Sequence, residues 1–242
     1  GILDGVLECD DVVLNKHLMA AYAEWEKEHP FDNGIGWGNE PWSQEEMPLT
    51  DELVKTVAAE SNEAIVIIGR TAGEDKDSKN EAGSYLLTEV EEDMLSKVRK
   101  AFDKLIVLLN VGNIIDMSFI DKYNPDAVMY VWQGGMVGGA AVAKVLTGAD
   151  YPSGKLTDTI AYSIEDYPSH SNFGSHERNL YVEDIYVGYR YFETVAREKV
   201  RYPFGYGLSY TDFDIKVTDY KQDNEHIIIE ATVTNTGDFR GK

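Results

Sequence analysis

The chain is short of the residues that staple or metallate a fold. It has one cysteine, Cys9, in 242 residues, so no intrachain disulfide can form. Such a thiol ordinarily serves as a small, half-buried hydrophobe. Cations are scarce as well: 22 Lys and Arg stand against 43 Asp and Glu, for a formal net charge of −21. A field of that sign repels phosphate backbones and anionic lipid heads, which argues against nucleic-acid and membrane-surface roles. No apolar run approaches the roughly 20 residues needed to cross a bilayer. No leader with a basic start and an apolar centre opens the sequence. The single cysteine and the missing leader favour a cytoplasmic setting. The first residue is Gly1 rather than Met, and Gly1-Ile2-Leu3 reads like the interior of an element. The expectation is therefore a piece of a longer polypeptide, for which a missing leader says little about compartment.

What is present suffices for a globular core, with 43% hydrophobic and 27% charged residues. Leu14, Leu18, Ala21, Tyr22 and Trp25 recur at helical spacing. A Gly- and Pro-rich stretch from Pro30 to Pro41 reads as a loop. Thr50-Asp51-Glu52 opens a second helix whose inner face is Leu53, Val54, Val57 and Ala58. Ala64 to Ile68 is then a continuous apolar run, the pattern of a parallel strand covered on both faces. After a polar loop from Gly69 to Gly83, Thr88-Glu89-Val90-Glu91 is a capping box for a helix burying Met94, Leu95, Val98 and Phe102. Leu105 to Leu109 is a second buried strand, Asp116 to Lys122 a short helix, and Ala127 to Trp132 a third strand. Gly138 to Leu146 follows as a helix of small residues. Strands and helices alternating at this spacing predict βαβ units and a parallel sheet.

Beyond Pro152 the pattern loosens. Ile185, Val187, Tyr189 and Tyr191 alternate, which predicts a strand with one buried face. Phe213, Ile215 and Val217, then Ile227, Ile229, Ala231 and Val233, alternate on either side of Asp223-Asn224, which predicts an antiparallel hairpin. Two strands alone make no stable sandwich, so the hairpin is expected to open a larger antiparallel module.

Several phrases now coincide in order: Gly69-Arg70-Thr71-Ala72-Gly73-Glu74-Asp75, Trp132-Gln133-Gly134-Gly135, Pro152-Ser153-Gly154-Lys155-Leu156, Glu183 to Tyr191, Tyr202 to Thr211, and Val233-Thr234-Asn235-Thr236-Gly237. This succession resembles the α/β-sandwich domain of glycoside hydrolase family 3 running into its fibronectin type III-like module. The resemblance covers about residues 50 to 242 and implies a division at about residue 210. Residues 1–210 would form a parallel-sheet α/β sandwich with flavodoxin-like layers, its own opening expected to be missing. Residues 211–242 would begin the fibronectin-like module. Family members also carry a (β/α)8 barrel that supplies the aspartate nucleophile and most sugar contacts, and no eight-fold βα pattern is present here.

The resemblance implies part of a retaining exo-acting β-glucosidase acting on terminal β-D-glucosyl residues of a β-glucoside or oligosaccharide. The barrel portion would be its necessary partner, and the chain alone would be inactive. No cofactor or metal is implied. β-Xylosidase or another β-glycosidase specificity is the alternative, as is a non-catalytic carbohydrate-binding or scaffolding domain. A flavodoxin-like sensor fits poorly with the acidic Gly73-Glu74 loop. Ligand sites of open α/β sheets lie beyond the carboxyl ends of the strands, where this loop sits. By the resemblance Glu74 is the general acid/base, with Asp75 and Asp77 as substitutes if the register is shifted. Repulsion from Asp75, Asp77 and Glu81, and burial against a partner domain, would raise its pKa as acid work at neutral pH requires. Substrate-binding residues are left unassigned.

Other residues are weaker candidates. Gly134-Gly135 and Gly138-Gly139 miss the dinucleotide and P-loop fingerprints, and close helix–sheet packing is their expected role. His170, His176 and Glu177 show no recurrent ligand spacing. Ser153 and Ser209 have no base nearby in sequence. Trp37, Trp42 and Trp132 could stack on a sugar or pack in the core, and Arg70 could orient Glu74 or pair with an exposed acid. An apolar surface where missing elements dock, and with it homo-oligomers or limited solubility, is the last expectation.

Overall fold

The computed structural model describes residues 1–10, 12–36, 38–71 and 77–242. At its centre is a parallel three-stranded sheet of order β1-β2-β3, made of β1 (Glu63–Gly69), β2 (Lys104–Asn110) and β3 (Ala127–Tyr130). Glu63 pairs with Lys104 and Gly69 with Asn110, so the first two strands end level. Helix α4 (Glu89–Ala101) connects β1 to β2, and α5 (Phe119–Tyr123) connects β2 to β3. Antiparallel pieces follow later in the chain, and the α/β class expected from the apolar runs is the class observed.

The central strand is buried on both faces: Leu105, Val107, Leu108 and Leu109 have no exposed surface. The edge strand β1 is not. Val66 and Ile68 enter the core, but Ile65 and Ile67 on the opposite face remain 44% and 39% exposed. The expectation of cover on both faces is thus corrected for β1, because an unbroken apolar run records what a strand can bury and not which neighbours are at hand. The core face is closed by α3 (Asp51–Ala58) through Val54 and Val57, and by α4 through Met94, Leu95 and Val98. Helix α2 (Lys16–Glu28) lays Leu18, Ala21, Tyr22 and Trp25 against the same cluster. It starts later than the apolar spacing suggests, because the Asn15 side chain caps it by accepting from the backbone N–H groups of His17 and Leu18.

Helix α1 (Ile2–Leu7) packs on α6 (Gly138–Leu146) by way of glycines. A Cβ added at Gly5 would fall 2.2 Å from the Gly139 carbonyl, and one at Gly139 would fall 2.0 Å from the Gly1 oxygen. Gly139 therefore serves contact between helices, whereas the sequence suggested contact between helix and sheet.

The segment around residue 187 departs most from expectation. The alternation of Ile185, Val187, Tyr189 and Tyr191 is not a strand: the backbone turns at Gly188 (φ 59°, ψ −128°) and continues as α7 (Tyr189–Val195), which buries Phe192. That φ suits glycine, and it breaks the two-residue period between Val187 and Tyr189. Strands β4 (Ile160–Ala161) and β5 (Val200–Tyr202) form a small antiparallel pair beside this helix. The chain then runs into the expected hairpin of β6 (Phe213–Gln222) and β7 (Ile227–Asn235), with an irregularity between Val217 and Asp219. Its apolar residues are bare: Ile215, Val217, Ile227, Ile228, Ile229 and Val233 are all more than half exposed.

Candidate functional site

The candidate site is the carboxyl end of the parallel sheet. The predicted acid/base, Glu74, and its substitute Asp75 lie outside the described residues, as does Trp37. The stems that lead into and out of residues 72–76 are described. On the entering side, the Arg70 N–H donates to the Asn110 carbonyl at 3.1 Å and the Thr71 N–H to the Trp42 carbonyl at 2.7 Å. On the returning side, Asn113 donates from Nδ2 to the Ser78 hydroxyl at 3.2 Å, and the Lys79 N–H donates to the Ser84 hydroxyl at 2.9 Å. The sequence from Arg70 to Lys79 is thus tied at both ends to the rim of the sheet. Asp77 is exposed on the returning stem.

Arg70 joins the two stems. Its side chain is 4% exposed and forms a two-pronged ion pair with Glu91, whose side chain is 7% exposed, at 2.6 and 2.8 Å. Its remaining N–H groups donate to the carbonyls of Gly69, Ser84 and Leu86. Of the two roles the sequence left open for Arg70, pairing with an acid is observed, although the acid is buried and not exposed. Glu91 also completes the Thr88 capping box, accepting from the Thr88 N–H at 2.8 Å while its own N–H donates to the Thr88 hydroxyl. The box was legible in the sequence; the second use of its glutamate was not.

A second buried polar pair was missed. Tyr22 donates its hydroxyl to Glu46 Oε1 at 2.8 Å, joining α2 to the loop that precedes α3. Burial pushes the Glu46 carboxyl above its ordinary value, with the nearby Glu91 charge acting the same way and the Tyr22 and Met47 hydrogen bonds opposing it. Burial likewise pushes the Tyr22 hydroxyl up. With 24 residues between the partners, no local spacing signals the pair.

At the end of β3, Trp132 takes a positive φ of 54° and its ring stacks on Tyr130 at 4.6 Å. A bulky residue in that backbone region is held there by its surroundings. Beyond it Met136 is fully exposed and Val137 is 75% exposed, an apolar rim on the same edge. Among the described residues no group of three or more His, Cys, Asp or Glu is placed to hold a metal. His170, His176 and Glu177 are exposed. Ser153 is exposed, and the buried Ser209 hydroxyl has no hydrogen-bond partner, so neither is coupled to a base. Cys9 is half-buried and donates to the Gly5 carbonyl at 3.5 Å. One groove among the described residues, about 770 Å³, is open and lined only by the 181–194 stretch, including Tyr181, Tyr186 and Arg190. Groups from separate elements do not converge in it.

A parallel sheet that holds the stems of a loop at its carboxyl rim is the frame of an α/β ligand-binding domain, and the chain belongs to glycoside hydrolase family 3. Residues 43–210 match the glycosyl hydrolase family 3 C-terminal domain. The chain is 57% identical over its whole length to a β-glucosidase of Ruminococcus albus, of which it covers 25%. It is 40% identical to β-glucosidase A of Butyrivibrio fibrisolvens, aligned over 85% of this chain and 30% of that protein. Among solved structures, a β-glucosidase from Paenibacillus barengoltzii superposes with a TM-score of 0.94 at 55% identity, over 98% of this chain and 26% of that one. β-Glucosidase 3B of Thermotoga neapolitana, solved with glycerol, gives 0.86 at 32% identity over 98% of this chain and 34% of its own. The chain therefore spans about a quarter to a third of the length of these relatives.

Proposed function

We propose that this chain supplies the proton donor of a retaining, exo-acting β-glucosidase, whose whole polypeptide removes terminal β-D-glucose from β-glucosides. Glu74 is the general acid/base. The aspartate nucleophile and most sugar contacts belong to a (β/α)8 barrel outside these 242 residues. In such a reaction one carboxylate attacks the anomeric carbon. The other protonates the departing oxygen and then takes a proton from the water that cleaves the glycosyl-enzyme. The two carboxyl groups stand roughly 5–5.5 Å apart, so a donor on one domain and a nucleophile on another must meet across a cleft. Residues 211–242 are the start of a fibronectin type III-like module.

The observation that carries this reading is the anchoring of both stems around residues 72–76 at the carboxyl rim, by Arg70 to Asn110 at the end of β2 and by Ser78 to Asn113 just beyond it. A ligand site of an open α/β sheet is built at that rim. That its relatives are β-glucosidases favours glucose over xylose as the sugar. The test uses the whole enzyme with Glu74→Ala. Aryl glucosides with poor leaving groups should lose about 10²–10⁴-fold in kcat/KM, the range general acid catalysis supplies. Dinitrophenyl glucoside, which needs no proton, should lose far less, and azide should restore part of its turnover as β-glucosyl azide. Unchanged kinetics would remove Glu74 from the mechanism.

A further inference from the structure

Arg70 has five N–H donors, as any arginine does, and each has an acceptor. Nε donates to Ser84 O at 3.0 Å, one terminal nitrogen to Gly69 O at 2.7 Å and Glu91 Oε1 at 2.6 Å, and the other to Leu86 O at 3.2 Å and Glu91 Oε2 at 2.8 Å. These acceptors come from three places: the end of β1, the returning limb of the loop, and the first turn of α4. The returning limb is bound to the same node, since the Ser84 hydroxyl accepts from the Lys79 N–H and the Tyr85 N–H donates to the Lys79 carbonyl at 3.1 Å. One side chain thus sets the separation of the stems at Arg70-Thr71 and Asp77–Lys79.

Stability does not account for such a pair. Burying two charges costs several kcal/mol of hydration, and replacing a buried pair by apolar residues of similar volume is often neutral or stabilising. What a fully engaged guanidinium fork supplies is fixed geometry, which a lysine with a single point charge cannot reproduce. We propose that the Arg70–Glu91 pair is a positioning device for the reaction. It holds the stems of the 72–76 segment in the register that presents the proton donor to the glycosidic oxygen. This inference rests on the reading of Glu74 given above. Neither Arg70 nor Glu91 touches substrate in this scheme; both act through Glu74.

The test is made in the whole enzyme with Arg70→Lys, Glu91→Gln and the double variant Arg70→Met/Glu91→Leu, the last keeping the site filled without buried charge. kcat/KM, which reports glycosylation, is measured over aryl β-glucosides from dinitrophenyl to phenyl, alongside the melting temperature and Glu74→Ala. A displaced donor should cost on the order of 10²-fold on the phenyl glucoside and less than about threefold on the dinitrophenyl one. The result is a steeper dependence on leaving-group acidity that persists in the double variant when all are assayed well below its melting temperature. A merely structural role would lower all substrates together, and that result, or an unchanged slope, overturns the proposal. If Glu74→Ala steepens the slope and the pair variants do not, positioning falls and Glu74 stands. If Glu74→Ala itself leaves the slope unchanged, both readings fall.

Discussion

Glu46 is a half-buried carboxyl that accepts from Tyr22, and burial makes it a weaker acid than a glutamate in water. The folded protein holds that proton more tightly than the unfolded chain does. Its contribution to stability is therefore complete below the ordinary carboxylate value, about 4.3, and is lost as pH rises through the higher folded value. Glu46→Gln removes the titration. The difference in urea midpoint between variant and parent should shift in favour of the variant as pH rises from about 4 to 7; midpoints that stay parallel would show Glu46 hydrated in the native state. Surface aspartates act in the opposite sense. The Arg201 fork holds Asp121, and the Leu105 N–H together with Arg99 holds Asp126, below the usual range, so what they contribute is lost as pH falls through their folded values. A second prediction at this scale concerns Gly5, where an added methyl would lie 2.2 Å from the Gly139 backbone. Backbone cannot swing aside as a side-chain tip does, so Gly5→Ala should cost about 1–3 kcal/mol, as overpacking does. Equilibrium urea unfolding measures it, and an unchanged midpoint would mean that α1 does not pack on α6 in solution.

Helix α4 shows how an element can be readable and its role not. Thr88 caps it, with its hydroxyl accepting from the Glu91 N–H at 3.1 Å. Thr88→Ala should cost about 1 kcal/mol. Glu91→Ala should cost more, because it also leaves the Arg70 guanidinium buried without its counter-ion, a loss of about 3–5 kcal/mol. Equal costs by urea unfolding would mean that the ion pair contributes nothing beyond the cap. The cap, the apolar face of α4 and the runs of β1 and β2 were all legible, because each is encoded within a few residues of itself. The stretch 185–191 was not: its two-residue period runs straight across Gly188, where the chain reverses into α7. The anchoring of the candidate site was also hidden. Arg70 meets Glu91 across 21 residues and Thr71 meets Trp42 across a helix and a strand, contacts made by the fold and not by spacing. Only the family resemblance points to Glu74, since a lone loop glutamate has no local signature.

At the scale of the molecule, apolar surface lies uncovered at several places among the described residues. They include the outer face of β1, with Ile65 and Ile67; the rim beyond β3, with Met136 and Val137; the stretch from Leu180 to Val187; and the β6–β7 hairpin, where side chains of both faces are bare. Isolated exposed hydrophobes are ordinary, but a sheet face and a whole hairpin are surfaces that neighbours cover. The relatives that match this chain are about three to four times longer, which is where such cover would come from. The chain on its own should therefore self-associate in sedimentation velocity. Replacing Ile228 and Val217 by threonine should reduce that association with a change in urea midpoint within about 0.5 kcal/mol, since both side chains are surface-exposed. A donor without a nucleophile at about 5 Å cannot complete double displacement, so the isolated chain should release no detectable phenol from an aryl β-glucoside. Added to a polypeptide carrying the barrel, it should restore turnover, and by the proposal above that turnover should be lost with Glu74→Ala. Turnover by the chain alone, abolished by substituting one of its own aspartates, would place the nucleophile within these residues and overturn the two-domain scheme.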